Sequence, residues 1–356
     1  MLVELDARGF RNLDAFHWQP GAGAHLILGP NGAGKTSLLE AIYTLATTRS
    51  FRTSRISDCC RHDSDAFALT GEVERQARTR LHVGWQRAGR NRERSVNDRV
   101  TSLAEHLDVL PVTAWHSGSL SVLVGPPAER RRFLDRGVIG TKPSTLSLLS
   151  RYRKTLDEKR QVLAGGRGPL SPWNELLAQA AFKVLEARAS FASALSTSID
   201  AVLADTNLEM PPVHVRYRPS PRCGLEGPEA IHRALADAEK KERAFGKPLL
   251  GPQRDELVIT WDGRPLREVA SAGERKALGL ALLAAEGRLL ASAGRAPVML
   301  LDDADIELDK DRLERLWPAL SVHGQLFATS NRPVVWRDLP FDRRWNCHHG
   351  RLDAEA

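Results

Sequence analysis

Cysteine is scarce, four in 356 residues, and the four build no framework. No Cys-x-x-Cys pair occurs, and adjacent Cys59 and Cys60 are poorly placed to bridge each other, so neither a zinc site nor a disulfide scaffold is supported. Such usage suits a reducing cytoplasm. Long apolar runs are also missing: none approaches the ~18 residues that a membrane helix needs. The start, "MLVELDARGFRNLDAF", carries early charges and lacks the apolar core of a signal peptide. A membrane partner is therefore not expected, and the chain reads as soluble and cytoplasmic. Internal repeats and low-complexity tracts are lacking as well.

What is present is an ordinary globular composition, 42% hydrophobic and 27% charged, on a chain long enough for two domains or for one large domain with an insertion. Lys and Arg outnumber Asp and Glu by 51 to 44, a net charge of +7 that leans toward a polyanionic partner. Strand patterns occur at 1–10, 24–29, 66–74, 79–85, 256–261, 297–302 and 325–330. The basic stretch "QRAGRNRERSVNDRV" reads as a hairpin tip with solvated arginines. Between about 127 and 245 the character turns helical. Leu149, Tyr152, Leu156 and Leu163 mark one helix, "GGRGPLSP" breaks it, and a stripe from Trp173 to Val202 marks a second, roughly 45 Å long at 1.5 Å per residue. The pair is an αα-hairpin. The expected layout is an α/β lobe from 1–110 and 246–356, with a helical insertion at 111–245.

The stretch "GPNGAGKT" fits G-x-x-x-x-G-K-[ST] between an apolar strand and a helix. Gly29, Gly32 and Gly34 let the backbone curl so that N–H groups converge on a phosphate, and the following helix adds its positive end. Gly29, Pro30, Asn31, Gly32, Ala33, Gly34, Lys35, Thr36 and Ser37 form the expected ATP cradle. Lys35 reaches the β- and γ-phosphates, and the Thr36 hydroxyl is a ligand for Mg2+. "VMLLDD" is a short apolar strand that ends in two carboxylates. Delivered next to that loop, Asp302 holds Mg2+ and Asp303 orients or deprotonates an attacking water. Alone, the same strand would simply end in solvated acids. At "SAGE", Ser271 and Glu274 have capping-box spacing, so the local sequence by itself describes only a well-capped helix.

A P-loop, an S-x-G-E helix start and a hydrophobic-Asp-Asp strand, in that order, resemble the ABC-type ATPases. The resemblance implies an ATPase head with a mixed sheet around a P-loop helix, plus a mostly helical inserted subdomain. It also implies that Ser271, Gly273 and Glu274 serve the nucleotide of a second protomer. "ADIELDKDR" resembles the D-loop, with Leu308 and Asp309 at a dimer interface. The family's switch histidine is missing; "LFATSNRP" offers Ser330 and Asn331 instead.

Lys35 and Ser271 stand 236 residues apart, a wider gap than transporter ATPases have and a much narrower one than chromosome-maintenance proteins have. With "GFRNLDAF", "NGAGKTSLLEAIYTLATTRSFRTS", "RRRFLDRG", "LLGPQRDEL" and "LLDDADIELDKDR", the chain resembles the RecF family over nearly its whole length. It departs where the family has a Pro-Glu-Asp stretch, reading "WHSGSLSVLVGPP", and at Ala270, where the family has Leu. No function is assigned to "CHHGRLDAEA". The resemblance implies a weak ATPase that, as an ATP-closed homodimer, clamps double-stranded DNA near single-strand/double-strand junctions, with single-stranded DNA as an alternative. Its implied partners are RecR and, through it, RecO and RecA, in recombinational and replication-gap repair. Candidate phosphate contacts are Arg87, Arg90, Arg92 and Arg94 in the hairpin, and Arg130, Arg131, Arg132, Arg151, Arg153 and Lys154 in the helical part, with at least one of Arg130 to Arg132 structural because the three point in different directions on a helix. Arg49 and Arg52 are expected near the nucleotide or the partner subunit. A non-hydrolysing scaffold gated by nucleotide and a different ABC-type subunit are the competing readings.

Overall fold

The computed structural model describes every residue except Asp14, Arg167, Glu307, His323 and Ala356, and all side chains but those of Arg90 and Arg267 as well. Elements are numbered in chain order. The chain divides into two compact units, the first made of 1–120, 198–210 and 270–356 and the second of 121–197 and 211–269.

The first unit is built on two sheets. One is parallel over five strands, in the order β14 (Arg343–His348), β3 (Ala24–Leu28), β13 (Leu326–Ser330), β12 (Val298–Asp302) and β8 (Val112–Trp115), with β15 (Arg351–Ala354) antiparallel on the outer edge. The middle strands read AHLIL, LFATS and VMLL, all buried, as expected for strands covered on both faces. The other sheet is antiparallel, in the order β2 (Phe16–Trp18), β1 (Leu2–Arg8), β4 (Ala66–Glu74), β5 (Arg78–Gln86), β6 (Asn91–Val96) and β7 (Arg99–Val100). Between the sheets lies α1 (Lys35–Thr47), whose Leu38, Leu39, Ile42 and Leu45 share one core with Leu5, Leu69, Leu81, Leu300 and Phe327. The helix is covered nearly all round, so that even Glu40 and Thr44 are buried with its apolar residues. This unit also holds α2 (Leu103–Val109), α9 (Ala272–Ser292), α10 (Lys310–Ser321) and the end of the long helix that finishes at Asp205.

The second unit holds α3 (Ser121–Val124), α4 (Pro127–Thr141), α5 (Leu146–Gly165), α7 (Pro228–Phe245) and α8 (Leu266–Val269), together with α6 (Ser171–Asp205) up to residue 197. Leu149, Tyr152 and Leu156 of α5 pack with Leu177, Ala181 and Val184 of α6 and Ile231 and Leu235 of α7. The expected αα-hairpin is therefore the core of this unit. Lys159 and Glu242, both fully buried, form an ion pair at 2.6 Å between α5 and α7.

Two local expectations are corrected. The expected insertion, 111–245, is shifted at both ends. Its first residues supply β8 to the parallel sheet, and β9 (Val213–Arg218) pairs antiparallel with β10 (Glu256–Trp261), which pairs in turn with β11 (Arg264–Pro265). That pairing draws 246–269 into the second unit. The basic hairpin is tighter than expected, because Arg92 and Arg94 lie on β6, paired with β5 from Leu81↔Val96 to Gln86↔Asn91. The C-terminal stretch, to which the sequence pattern assigns no element, forms β14 and β15.

Candidate nucleotide site

The loop 29–34 runs from the end of β3 into α1. Gly34 is the helix N-cap at φ 116°, a left-handed conformation with no side-chain cap, and a Cβ there would lie 3.1 Å from Gly350 Cα. At Gly29 the crowding is worse: a Cβ would stand 2.4 Å from the carbonyl oxygen of Cys347. The first turn of α1 contains no acid, so the positive helix end is left uncompensated. Lys35 is buried and folds back over the loop, donating to the carbonyls of Gly29 (2.9 Å) and Pro30 (3.0 Å).

Beneath the loop, Thr36 Oγ1 donates to Asp302 Oδ1 at 2.9 Å, and Thr329 Oγ1 donates to the same oxygen at 2.9 Å. Thr329 also accepts from the Asp303 backbone N–H at 3.1 Å. Burial pushes the Asp302 carboxyl above the usual aspartate range, against the pull of the two hydroxyls. Burial also raises Asp303, with Lys35 pulling the other way. Asp303 has φ 47°, an uncommon conformation for a residue with a Cβ, so its backbone is held strained at the strand's end.

The S-x-G-E segment begins α9 with a complete capping box. Ser271 Oγ accepts from Glu274 N at 3.3 Å, and Glu274 Oε2 accepts from Ser271 N at 2.7 Å. Ser271 is exposed, and Gly273 and Glu274 are half-buried. One turn on, Lys276 donates to the carbonyls of Asp303 (3.2 Å) and Ile306, with its Nζ 5.9 Å from the centre of the Trp115 ring. Trp115 sits so close to Gly279 that a Cβ there would lie 2.5 Å from the ring. Trp115 thus braces α9 through its aromatic ring.

Several residues at the site were not legible as functional. Thr329 and Lys276 are two of them. Asn331 donates to Asn31 of the loop at 3.0 Å, whereas Ser330 is buried and donates to Asp305 at 2.9 Å, so the pair divides its duties. Glu40 of α1 is wholly buried. It accepts from Arg11 (2.7 and 2.9 Å), Arg52 (3.3 Å) and Ser50 (2.5 Å), which fastens the segment after α1 to the helix. Arg49 is exposed. Leu308 is buried and Asp309 caps α10, accepting from Arg312 N at 2.8 Å; Glu307 between them and the D-loop start lies outside the described residues.

The arginines singled out for nucleic acid are scattered in role. Arg87 pairs with Asp65 at 3.1 Å, Arg94 Nε donates to the Thr101 carbonyl at 2.9 Å, and Arg92 is exposed on β6. The Arg90 side chain lies outside the described residues. In the second unit, Arg153 pairs with Asp135 at 2.9 Å, and Arg151 and Lys154 are exposed. Arg130 is structural, bound to Glu256 at 2.5 Å. Among the described residues, no helix is long and apolar enough to cross a membrane.

Comparison with known proteins agrees with this architecture. A family model described as the RecF/RecN/SMC N-terminal domain matches residues 1–339. The DNA replication and repair protein RecF of Acidothermus cellulolyticus is 33% identical, covering 99% of this chain and 98% of that protein. The protein of the same name from Thioalkalivibrio sulfidiphilus is 34% identical, over 93% of this chain and 92% of its own. A solved structure of the recombination mediator protein RecF-ATP in the RecFOR pathway superposes with a TM-score of 0.89 at 25% identity, covering 100% of this chain and 97% of that one. An Smc head bound to the C-winged helix domain of ScpA gives a TM-score of 0.58 at 15% identity over 99% of this chain and 96% of that one, a likeness of fold. With its P-loop helix between two sheets and its signature helix braced on the Asp-Asp strand, the chain belongs to the RecF family of DNA replication and repair proteins, within the ABC/SMC-like ATPases.

Proposed function

We propose that the chain is a weak ATPase that binds DNA as an ATP-closed homodimer and lets it go when ATP is hydrolysed. The observation that carries this reading is the Thr36–Asp302 hydrogen bond of 2.9 Å beneath an uncapped helix N-terminus. A hydroxyl and a carboxylate held together beside open backbone donors are the donor set of a nucleotide–Mg2+ site. In this reading the N–H groups of 29–37 and the Lys35 ammonium bind ATP phosphates, and Thr36 and Asp302 would hold Mg2+. When bound, Mg2+ supplies positive charge that offsets the phosphate oxygens. Asp303 orients a water and accepts its proton, and the strained backbone at 303 fixes where that carboxylate points. Asn331, tied to Asn31, stands in for the family's histidine as the polar side chain facing the loop.

Ser271, Gly273 and Glu274 complete the site from the other protomer. The exposed start of α9, with its N–H groups at a positive helix end, suits an incoming γ-phosphate. The closed dimer holds double-stranded DNA near single-strand/double-strand junctions, working with RecR and RecO to assist RecA loading. That the RecF-ATP structure is named for the RecFOR pathway supports these partners. Cationic residues such as Arg92, Arg151 and Lys154, exposed on the surface, suit backbone phosphates without sequence preference.

Sedimentation and DNA binding with and without ATP test the reading, repeated with Lys35→Met and Ser271→Arg. Each variant alone should lose ATP-dependent dimerisation. A mixture of the two should recover part of it, because one composite site per heterodimer stays intact. If ATP changes neither association nor DNA affinity, the clamp is refuted.

A further inference from the structure

The second unit contains a cavity of about 640 Å³ between α4, α5 and the loop 247–254 that the nucleotide chemistry does not use. Its lining is strongly cationic, with seven Arg and Lys side chains against two carboxylates, Asp135 and Asp157. Internal pairing accounts for part of this charge. Arg153 and Arg188 share Asp135 (2.9 and 2.7 Å), Arg160 takes Asp157 (2.7 Å), and Arg132 takes Glu129 (2.5 Å).

Three cations remain without a carboxylate of their own. Arg131 spends its Nη1 on the carbonyl oxygen of Asp255, at 3.1 Å. Lys247 and Arg254 are exposed at the rim, with no side-chain partner among the described residues. The guanidinium of Arg131 is also held below its ordinary range, first by burial and next by the neighbouring charge of Arg188. A positive potential unrelieved by the protein's own acids is what an oligo-anion relieves. Arg188 is fixed between Asp135 and Asp255, so the back wall of the cavity is rigid. Leu149, Leu156 and Pro248 give that wall an apolar stretch against which a sugar or base can lie. The volume falls within the range of pockets that hold nucleotide-sized ligands and is far larger than a lone phosphate requires.

We infer that this cavity is a second phosphate-binding site, which takes phosphoryl groups carried on a nucleotide body through Arg131, Lys247 and Arg254. The ligand is either consecutive nucleotides of a nucleic-acid strand or a free nucleotide; the strand source alone rests on the DNA-binding reading above. The arginines bind phosphoryl oxygens in pairs, and the mobile Lys247 ammonium closes the rim as a point charge.

The test uses the full chain and reads acetylation of Lys247 by peptide mass spectrometry, with tripolyphosphate, thymidine triphosphate or a short thymidine oligonucleotide as probe. Lys247→Glu combined with Arg254→Glu is the companion variant. Both residues are exposed, so its thermal unfolding should match that of the parent chain. If the ligand is a strand, the oligonucleotide protects Lys247 and the double variant weakens oligonucleotide binding about tenfold or more, with a shallower salt dependence. If the oligonucleotide fails to protect Lys247 but thymidine triphosphate protects it better than tripolyphosphate does, the site stands with free nucleotide as its source; equal protection by bare tripolyphosphate would refute the nucleotide body. If no probe protects Lys247, the inference is overturned. Binding of ATP with Mg2+ by the same chain is measured alongside. Its failure would count against the nucleotide site and leave the cavity's result untouched.

Discussion

Lys276, one turn into α9, donates a hydrogen bond at 3.2 Å to the carbonyl oxygen of Asp303. The signature helix therefore grips the backbone of the residue proposed as the base, and it does so within one protomer. Lys276→Met keeps an unbranched chain against Trp115 and removes the donors. Charge-assisted bonds of this kind contribute about 1.5–3 kcal/mol each. The expected result is a fall in single-turnover ATP hydrolysis of about tenfold or more with little change in ATP affinity. An equal loss of affinity would mean that Lys276 only supports the fold.

Asp303→Asn retains the shape and tolerates the left-handed backbone, but it cannot accept a proton. Removing a general base typically costs ~10²–10⁴-fold in rate. ATP binding and dimer formation should survive, so the variant accumulates as a closed dimer on DNA. Should the unaltered chain hydrolyse no faster than this variant under single turnover, the scaffold reading replaces the ATPase one.

Burial raises both Asp302 and Asp303, so each gains its proton at a higher pH than a free aspartate does. The acid limb of the kcat/KM profile, which reports the free protein before nucleotide and Mg2+ bind, should lie above the ordinary carboxylate range. Stability follows the same sign. In the nucleotide-free chain these two groups contribute stability that is full below the unfolded aspartate pKa and lost as pH rises through the raised folded one. Thr329→Val removes one of the hydroxyls that hold Asp302 down, and should move the limb higher still. A limb at the usual aspartate value in both proteins would contradict this account.

Glu40→Gln leaves Arg11 and Arg52 facing a neutral amide in a buried position. Because Arg11 and Arg52 are partly exposed, the loss is that of a charge-assisted hydrogen bond, about 1.5–3 kcal/mol, rather than that of a fully buried pair. Thermal unfolding should drop by several degrees, while Arg52→Gln, half exposed, should cost far less. Comparable losses in the two variants would show that the carboxylate is not the centre of the network.

Much of this molecule could be read in advance wherever a pattern and a chemical demand coincide. The P-loop, the apolar strand before Asp302 and the Ser271–Glu274 cap each pair a local period with a residue type that only one geometry satisfies. Strand β9 was missed although "VHVRYR" alternates, because its partner β10 lies some forty residues on and nothing local announces the pairing. Arg92 and Arg94 suggested a solvated tip because charge dominates the reading of a short strand whose outer face is wet. Lys276, Thr329 and Glu40 carry no motif at all. Their roles arise from which segments the fold brings within 3 Å or so, and a single chain does not advertise that.

The C-terminal hairpin of β14 and β15 carries a practical consequence for anyone who edits the gene. Cys347 lays its carbonyl against Gly29, while Cys347 Sγ (3.3 Å) and Gly350 N (2.7 Å) both donate to the carbonyl of Ala33. The last strands are thus the outer wall of the loop encoded near the start. A stop codon before position 343 would strip that wall and unmake the loop three hundred residues upstream, so such alleles should behave like a P-loop knockout rather than a trimmed tail.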